Sequence, residues 1–251
     1  MSNNCLSLLG LNCSDCRISA LCLPLSLHGD EIGQLDEIVQ RGRPIHKDEY
    51  IYHAGSDFAS IYAVRSGAVK TYAIDSEGHE QVTGFHLPGE IFGIDGIGRN
   101  RHSNSAVALE TSAICEIPFN RLTDLSLTIP SLQRRFISLM GLEINEDQEL
   151  LTLLSKKSAE ERVATLLINF SIRNQARKLS ATVFRLPMSR SDIGNYLGLT
   201  LETVSRVFSR FQKSGLLNVD KKEIEILDLA GLKTLTSSCA PDADLNTEKA
   251  G

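Results

Sequence analysis

The 251-residue chain has no run of eighteen apolar residues, so no segment of it reads as a membrane-spanning helix. Its first residues, MSNNCLSLLGLNCSDCR, lack the basic leader and unbroken apolar stretch of a secretory signal. These two absences predict a cytoplasmic protein with no membrane partner. In a reducing compartment six cysteines do not make a disulfide framework, which leaves metal, redox or plain core roles. Positive charge is scarce overall: the formal net charge is −5, which on its face disfavours a nucleic-acid partner. No catalytic dyad is visible. The histidines His28, His46, His53, His79, His86 and His102 show no helical metal spacing, so they take surface or core roles and no enzyme is predicted.

The charge is laid unevenly along the chain, and a field acts locally. Residues 1–154 hold 11 Lys+Arg against 20 Asp+Glu, whereas residues 155–225 hold 13 against 7, so any contact with DNA is to be sought in that basic segment. A merely solvated face gives the same count, and a motif must decide. The length fits one large or two smaller domains, and two are expected.

The texture changes along the chain in a way that marks its parts. Residues 1–28 crowd four of the six cysteines into a stretch with no sustained helical or strand period, a lobe organised by something other than its own core. Residues 29–120 alternate in short runs such as Val69-Lys70-Thr71-Tyr72-Ala73-Ile74, punctuated by Gly55, Gly67, Gly78, Gly84, Gly89 and Gly93; that predicts an antiparallel β-roll or jelly roll. Residues 121–155 form a linker and one long helix. There Ile137, Met140, Ile144, Asp147, Leu151 and Leu154 recur at steps of three and four, a coiled-coil seam for a homodimer, though a helix packed on its own domain would also show a stripe. The final parts are a DNA-binding domain over residues 156–235 and a polar, aperiodic tail over 236–251, expected to be disordered. Ser158 with Glu161 reads as a capping box, which makes Leu154-Ser155-Lys156-Lys157 a hinge. The fold class is α+β: an N-terminal β-roll like that of cyclic-nucleotide-binding domains, a long dimerisation helix and a C-terminal winged helix-turn-helix.

The helix-turn-helix lies in SRSDIGNYLGLTLETVSRVFSRFQKSG. Ser189 with Asp192, and then Thr200, mark two helix starts, while Gly198 separates the helices and Gly215 ends the second. Ile193, Leu197, Val204, Val207, Phe208 and Phe211 are spaced to pack the two together. Opposite that apolar face the second helix projects Glu202, Ser205 and Arg206. Arg206 suits guanine O6 and N7, Glu202 a cytosine amine, and Ser205 a neighbouring base. Ser189, Arg190, Thr200, Thr203, Arg210 and Lys213 are placed for phosphates. An exposed Glu202–Arg206 pair on an ordinary helical hairpin is the plain alternative. Leu217 to Leu227, with its Asp220-Lys221-Lys222 turn, supplies the wing.

Cys13-x2-Cys16-x5-Cys22 places three thiols in ten residues, which asks for a soft metal. No second CxxC unit is present, so a fourth ligand must come from Cys5, Cys115 or Cys239; Cys115, in the strand-like Ser112-Ala113-Ile114-Cys115-Glu116-Ile117, is the best of these. Cys115 alone would read as a core cysteine. The spacing leaves structural zinc and a [4Fe-4S] cluster both open. Zinc would give a regulator of the same fold with a small-molecule effector in the β-roll, while a redox dithiol at Cys13 and Cys16 lacks an adjacent βαβ pattern.

Taken together, the cysteine spacing, the β-roll pattern, the seam helix ending in LLSKK and the segment DIGNYLGLTLETVSRVFSRFQKSG resemble the oxygen-responsive fumarate and nitrate reduction (FNR) regulators of the catabolite activator superfamily, over nearly the whole chain. Cys13, Cys16, Cys22 and Cys115 match that family's cluster ligands. The resemblance implies a [4Fe-4S] cluster that assembles without oxygen, favours a homodimer and is destroyed by oxygen. It further implies palindromic double-stranded DNA sites with TTGAT and ATCAA-like half-sites, and contact with RNA polymerase, for which the Ser76-Glu77-Gly78-His79 turn is a candidate. Cyclic-nucleotide relatives carry Arg-Ser-Ala after a Gly-Glu turn. This chain has Gly89-Glu90 and then Asn104-Ser105-Ala106, and a neutral amide cannot replace a guanidinium on a cyclic phosphate, so no cyclic nucleotide is expected unless Arg101 reaches in.

Asp147 is the charged member of the seam. Dimerisation brings two copies of it together at a cost of a few kcal/mol, roughly what is needed to hold the cluster-free chain monomeric. A dimer sets its recognition helices about 34 Å apart, one turn of B-DNA. Arg17, next to Cys16, puts a positive charge beside the thiols.

Overall fold

A computed structural model describes residues 12–236, and the chain divides into two compact units, residues 1–150 and 151–251. Cys5 and Cys239 lie outside the described residues, as does the expected disordered tail apart from Thr236.

The first unit begins with turns and a short 3-10 segment, Leu23–Ser26, and continues into helix α1, Asp30–Ile38. Eight strands follow: β1 Gln40–Arg41, β2 Tyr50–Tyr52, β3 Ser60–Ser66, β4 Val69–Ile74, β5 Glu80–His86, β6 Ile91–Phe92, β7 Ser105–Ala108 and β8 Ala113–Pro118. They form two antiparallel four-stranded sheets, ordered β1-β8-β3-β6 and β2-β7-β4-β5, the β-roll that the alternation foretold. Five of the six punctuating glycines have positive φ, a conformation that a side chain would strain. Gly84 is the exception: it lies inside β5 beside a register shift in the β4–β5 ladder, where a side chain would press on His86 and Thr71.

Alternation along the strands sends side chains into two cores. Val64, Val69, Phe92, Ala106 and Ile114 fill the space inside the roll. Ile61, Ala63 and Ile117 face the other way, onto a layer made by Leu23, Leu27, α1, helix α2 (Phe119–Thr128) and the start of helix α3 (Pro130–Lys156). Cys115 shares this outer face with Ile117, because successive strand residues alternate. The amino-terminal lobe is therefore partly organised by the apolar core after all: Leu23 and Leu27 are buried in it.

In the second unit, Ser158 and Glu161 make the expected capping box at the start of helix α4, Ala159–Ala176. The expected hinge is narrower than four residues. Nothing in Leu154-Ser155-Lys156 breaks a helix, so α3 runs through Lys156 and only Lys157 separates it from the Ser158 cap. Arg162 closes this junction, donating to the carbonyls of Leu154, Lys157 and Leu197. Strand β9 (Val183–Arg185), helix α5 (Arg190–Leu197), helix α6 (Leu201–Lys213), strands β10 (Leu217–Asp220) and β11 (Glu223–Ile226) and helix α7 (Leu229–Thr236) complete the unit. β9 adds to the β10–β11 hairpin, so the wing is the edge of a three-stranded sheet, β10-β11-β9.

Candidate metal centre and nucleic-acid interface

The segment between Asn12 and Leu25 is a series of tight turns. Backbone N–H groups of Cys16, Ser19 and Leu25 donate to carbonyls three residues earlier, and Cys22 donates to Ile18 and Ser19. Turns closing every three residues eclipse positions i and i+3. Cys13, Cys16, Ser19 and Cys22 are spaced by threes, and all four line one pocket. The opposite wall is the roll: Cys115 lies between Arg41 on β1 and Ala63 on β3, both directly opposite it in register and both lining the pocket. The small Ala63 leaves this stretch of wall open. Leu21 packs over Gly89, where any side chain would collide with the Leu21 Cβ at 2.8 Å.

Arg41 ties the two walls. Its Nη2 donates to Cys13 Sγ at 3.3 Å and pairs with Asp36, whose carboxylate also accepts from the Cys13 backbone N–H at 2.7 Å. Partial burial opposes the charge on Asp36, but the Cys13 N–H and Arg41 outweigh it and hold the carboxyl below its usual range. Burial pushes the Cys13 and Cys22 thiols up to about 12, and raises Cys115 as well. Such thiols are protonated at neutral pH, the reverse of the lowered values that make an exchanging dithiol reactive. A metal would have to displace those protons. Asp36 and Arg41 carry no sequence signal that singles them out; the spacing of the thiols points to a metal, and its multiples of three also match the turns seen here. Arg17 is exposed.

The donor set matches an iron–sulfur cluster in kind and number: four sulfurs, three from the turns and one from the strand, with a guanidinium to offset thiolate charge. A single zinc needs its ligands crowded about 2.3 Å from one point. Among the described residues no three His, Cys, Asp or Glu side chains are grouped about one point as a metal ion of any kind would require. The four cysteines line one pocket, and their thiolates would hold the irons of a cluster.

Inside the roll, the interior is filled by stacked rings, with Tyr52 on His102 at 3.8 Å and Tyr62 on Phe92 at 5.5 Å. Asp95 accepts from the backbone N–H groups of Ser103 and Asn104 and from His102 Nδ1. Arg101 is paired on the surface with Asp57 at 3.4 Å. His86 and His102 are buried and the other four histidines exposed.

Along α3, Ile137, Ile144 and Leu151 are more than half exposed and Asp147 is exposed, while Met140 and Leu154 are half-buried. Leu132 on the same helix is fully buried.

In the helix-turn-helix, Ser189 caps α5 through Asp192, Gly198 takes the left-handed conformation at its end, and Thr200 caps α6 by accepting from Thr203 N–H. Val204, Val207, Phe208 and Phe211 are buried, and Glu202, Ser205, Arg206 and Lys213 are exposed on the opposite face. The phosphate candidates differ in availability. The Ser189, Thr200 and Thr203 hydroxyls are engaged in the caps, Arg190 stacks at 3.4 Å over the Phe208 ring, and Arg210 is ion-paired with Glu160. Desolvation pushes Arg190 down to about 10, which leaves it charged at neutral pH.

A double-sheet β-roll, a long helix with an exposed apolar stripe and a winged helix-turn-helix define a DNA-binding transcription regulator. The Crp-like helix-turn-helix domain family matches residues 161–235 and the cyclic nucleotide-binding domain family residues 43–128. The chain is 53% identical to the transcriptional activator protein FnrA of Stutzerimonas stutzeri, covering 89% of this chain and 92% of that protein. It is 51% identical to the fumarate and nitrate reduction regulatory protein of Shigella dysenteriae, covering 86% of each. The solved structure of FixK2 from Bradyrhizobium japonicum superposes with a TM-score of 0.74 at 32% identity, covering 81% of this chain and all of that one. The chain belongs to the Crp/Fnr family of transcription regulators, among the fumarate and nitrate reduction regulators.

Proposed function

We propose that this regulator responds to oxygen through a [4Fe-4S] cluster held by Cys13, Cys16, Cys22 and Cys115. The observation that carries the reading is the single pocket into which the turns and β8 bring all four thiols. When bound, such a cluster supplies a redox centre that oxygen can oxidise and degrade. The residues of the chain do the rest. Arg41 offsets thiolate charge at Cys13, and Asp36 orients Arg41. The seam of α3, in which Ile137, Ile144 and Leu151 are exposed and Met140 and Leu154 half-buried, joins two copies as a homodimer, opposed by Asp147. The dimer then presents two copies of α6 to a palindromic duplex with TTGAT and ATCAA-like half-sites, Arg206, Glu202 and Ser205 reading bases. Half-site spacing follows from the two-fold axis. RNA polymerase is the expected second partner, and the exposed turn at Ser76 to His79 offers it a surface.

Cyclic-nucleotide sensing is disfavoured on three counts. The rings fill the roll, Asp95 occupies backbone donors that an anion would need, and Arg101 is engaged with Asp57. The test is purification under anoxia, with iron and acid-labile sulfide assayed and the visible absorption followed on admitting air. Brown protein with about four irons per chain, bleaching in air, is expected; colourless, air-stable protein containing zinc overturns the reading.

A further inference from the structure

Helix α3 carries one side chain that reaches the ligand loop. Arg135, half-buried, donates Nη2–H to the Leu21 carbonyl at 2.8 Å and Nε–H to the Cys22 carbonyl at 3.2 Å. Its face of the helix is the one turned to the roll, where Leu132 is buried and Phe136 and Leu139 pack against the same apolar core as Cys22. The exposed seam residues Ile137 and Ile144 lie on the other face. One helix therefore holds a thiol-bearing loop on one side and a stripe for a second copy on the other. An arginine fork gripping two successive carbonyls fixes the orientation of a peptide as well as its distance, which a single donor would not do.

We infer that Arg135 is the positioning residue that passes the state of Cys22 to the dimer seam. A change in the backbone at Leu21 and Cys22 moves the guanidinium, and the guanidinium moves the first turns of α3. The inference rests on the reading of Cys22 as a cluster ligand, and it assigns the mechanical link to a residue outside the ligand set. Coupling of this kind works in both directions, so dimer formation also steadies the loop that holds Cys22.

The test compares wild type, Arg135→Met and Arg135→Lys as full chains, each reconstituted anaerobically with iron and sulfide. Cluster content is read from visible absorption with iron and sulfide assays; the dimer constant is read by sedimentation equilibrium with and without the cluster. Arg135→Met is expected, on the fraction of chains that carry cluster, to lower the ratio of cluster-bound to cluster-free dimer constants by about tenfold or more. Arg135→Lys, which can reach one carbonyl but not grip both, is expected to fall between. Adding Asp147→Ala to Arg135→Met should restore the dimer without restoring its dependence on cluster. The inference is overturned if the Met and Lys variants dimerise per cluster as wild type does, or if cluster content and dimer fall in step, which would make Arg135 a mere brace for the loop. Should Arg135→Met fail to fold, the Lys variant decides by the same ratio. Failure of the underlying reading looks different, since the wild type itself would then take up no iron.

Discussion

Replacing Asp147 with Ala should turn the cluster-free chain into a dimer in air. The size of the effect follows from Coulomb's law across the seam. Taken as about 6 Å apart in a dimer, two carboxylates repel by about 0.7 kcal/mol in water and about 2.8 kcal/mol at an effective dielectric near 20. In dimer constant that is a gain between about threefold and hundredfold on removing both. Desolvation already raises the Asp147 carboxyl somewhat in a single chain. The pH dependence has a definite sign. The penalty is absent when the carboxyl is protonated, grows as pH rises past the raised value of the single chain and levels off above the still higher value in the dimer. Wild-type association should therefore strengthen as pH falls through that window, and Asp147→Ala should be flat there. Sedimentation equilibrium on cluster-free protein in air reads both effects, with Asp147→Asn separating charge from bulk. If the Ala and Asn variants associate no more tightly than wild type, charge repulsion at the seam is not what keeps the chain monomeric.

Other consequences are as concrete. Arg206→Ala should cost about 1–3 kcal/mol at one base pair of each half-site and relax specificity there, whereas Lys213→Ala should weaken all sequences alike and flatten the salt dependence, both measured by titration against variant duplexes. Gly89→Ala should push Leu21 outward and speed the air decay of the visible chromophore, and should also destabilise the β-roll in denaturant melts because the left-handed backbone there strains any side chain. Ser189→Ala removes a capping box and should lower the stability of the second unit by about 0.5–2 kcal/mol in denaturant melts. Arg41→Met should lower the reduction potential of the bound centre by leaving thiolate charge uncompensated, and an unchanged potential would remove Arg41 from that role.

The recognition module was the most legible part of the chain, because local chemistry alone decides it. The Ser189 capping box, the left-handed Gly198, the Thr200 cap and the apolar stripe of α6 are each signals spanning only a few residues, and each stands where its residues predict. The roll was legible as texture but not as register. Which sheet Cys115 joins, and that Arg41 and Ala63 flank it, depends on ladders between residues far apart in sequence. Helices α1 and α2 are hard to read because neither starts with a side-chain cap, and α7 because it is only eight residues long, although Asp228 caps it by accepting from the Gly231 N–H. The lobe misled for a different reason. Its three-residue spacing belongs to 3-10 turns, and a search for periods of two or 3.6 passes over it. Arg135 could not have been read at all, since nothing local marks an arginine whose partners are carbonyls more than a hundred residues away.

The central claim is that four sulfurs meet one inorganic core, and diffraction from anoxically grown crystals at the iron absorption edge tests it most directly. The account predicts a compact group of four iron peaks, each bonded to one of the Sγ atoms of Cys13, Cys16, Cys22 and Cys115. A single zinc peak, or an iron group that leaves Cys115 unbound, contradicts it.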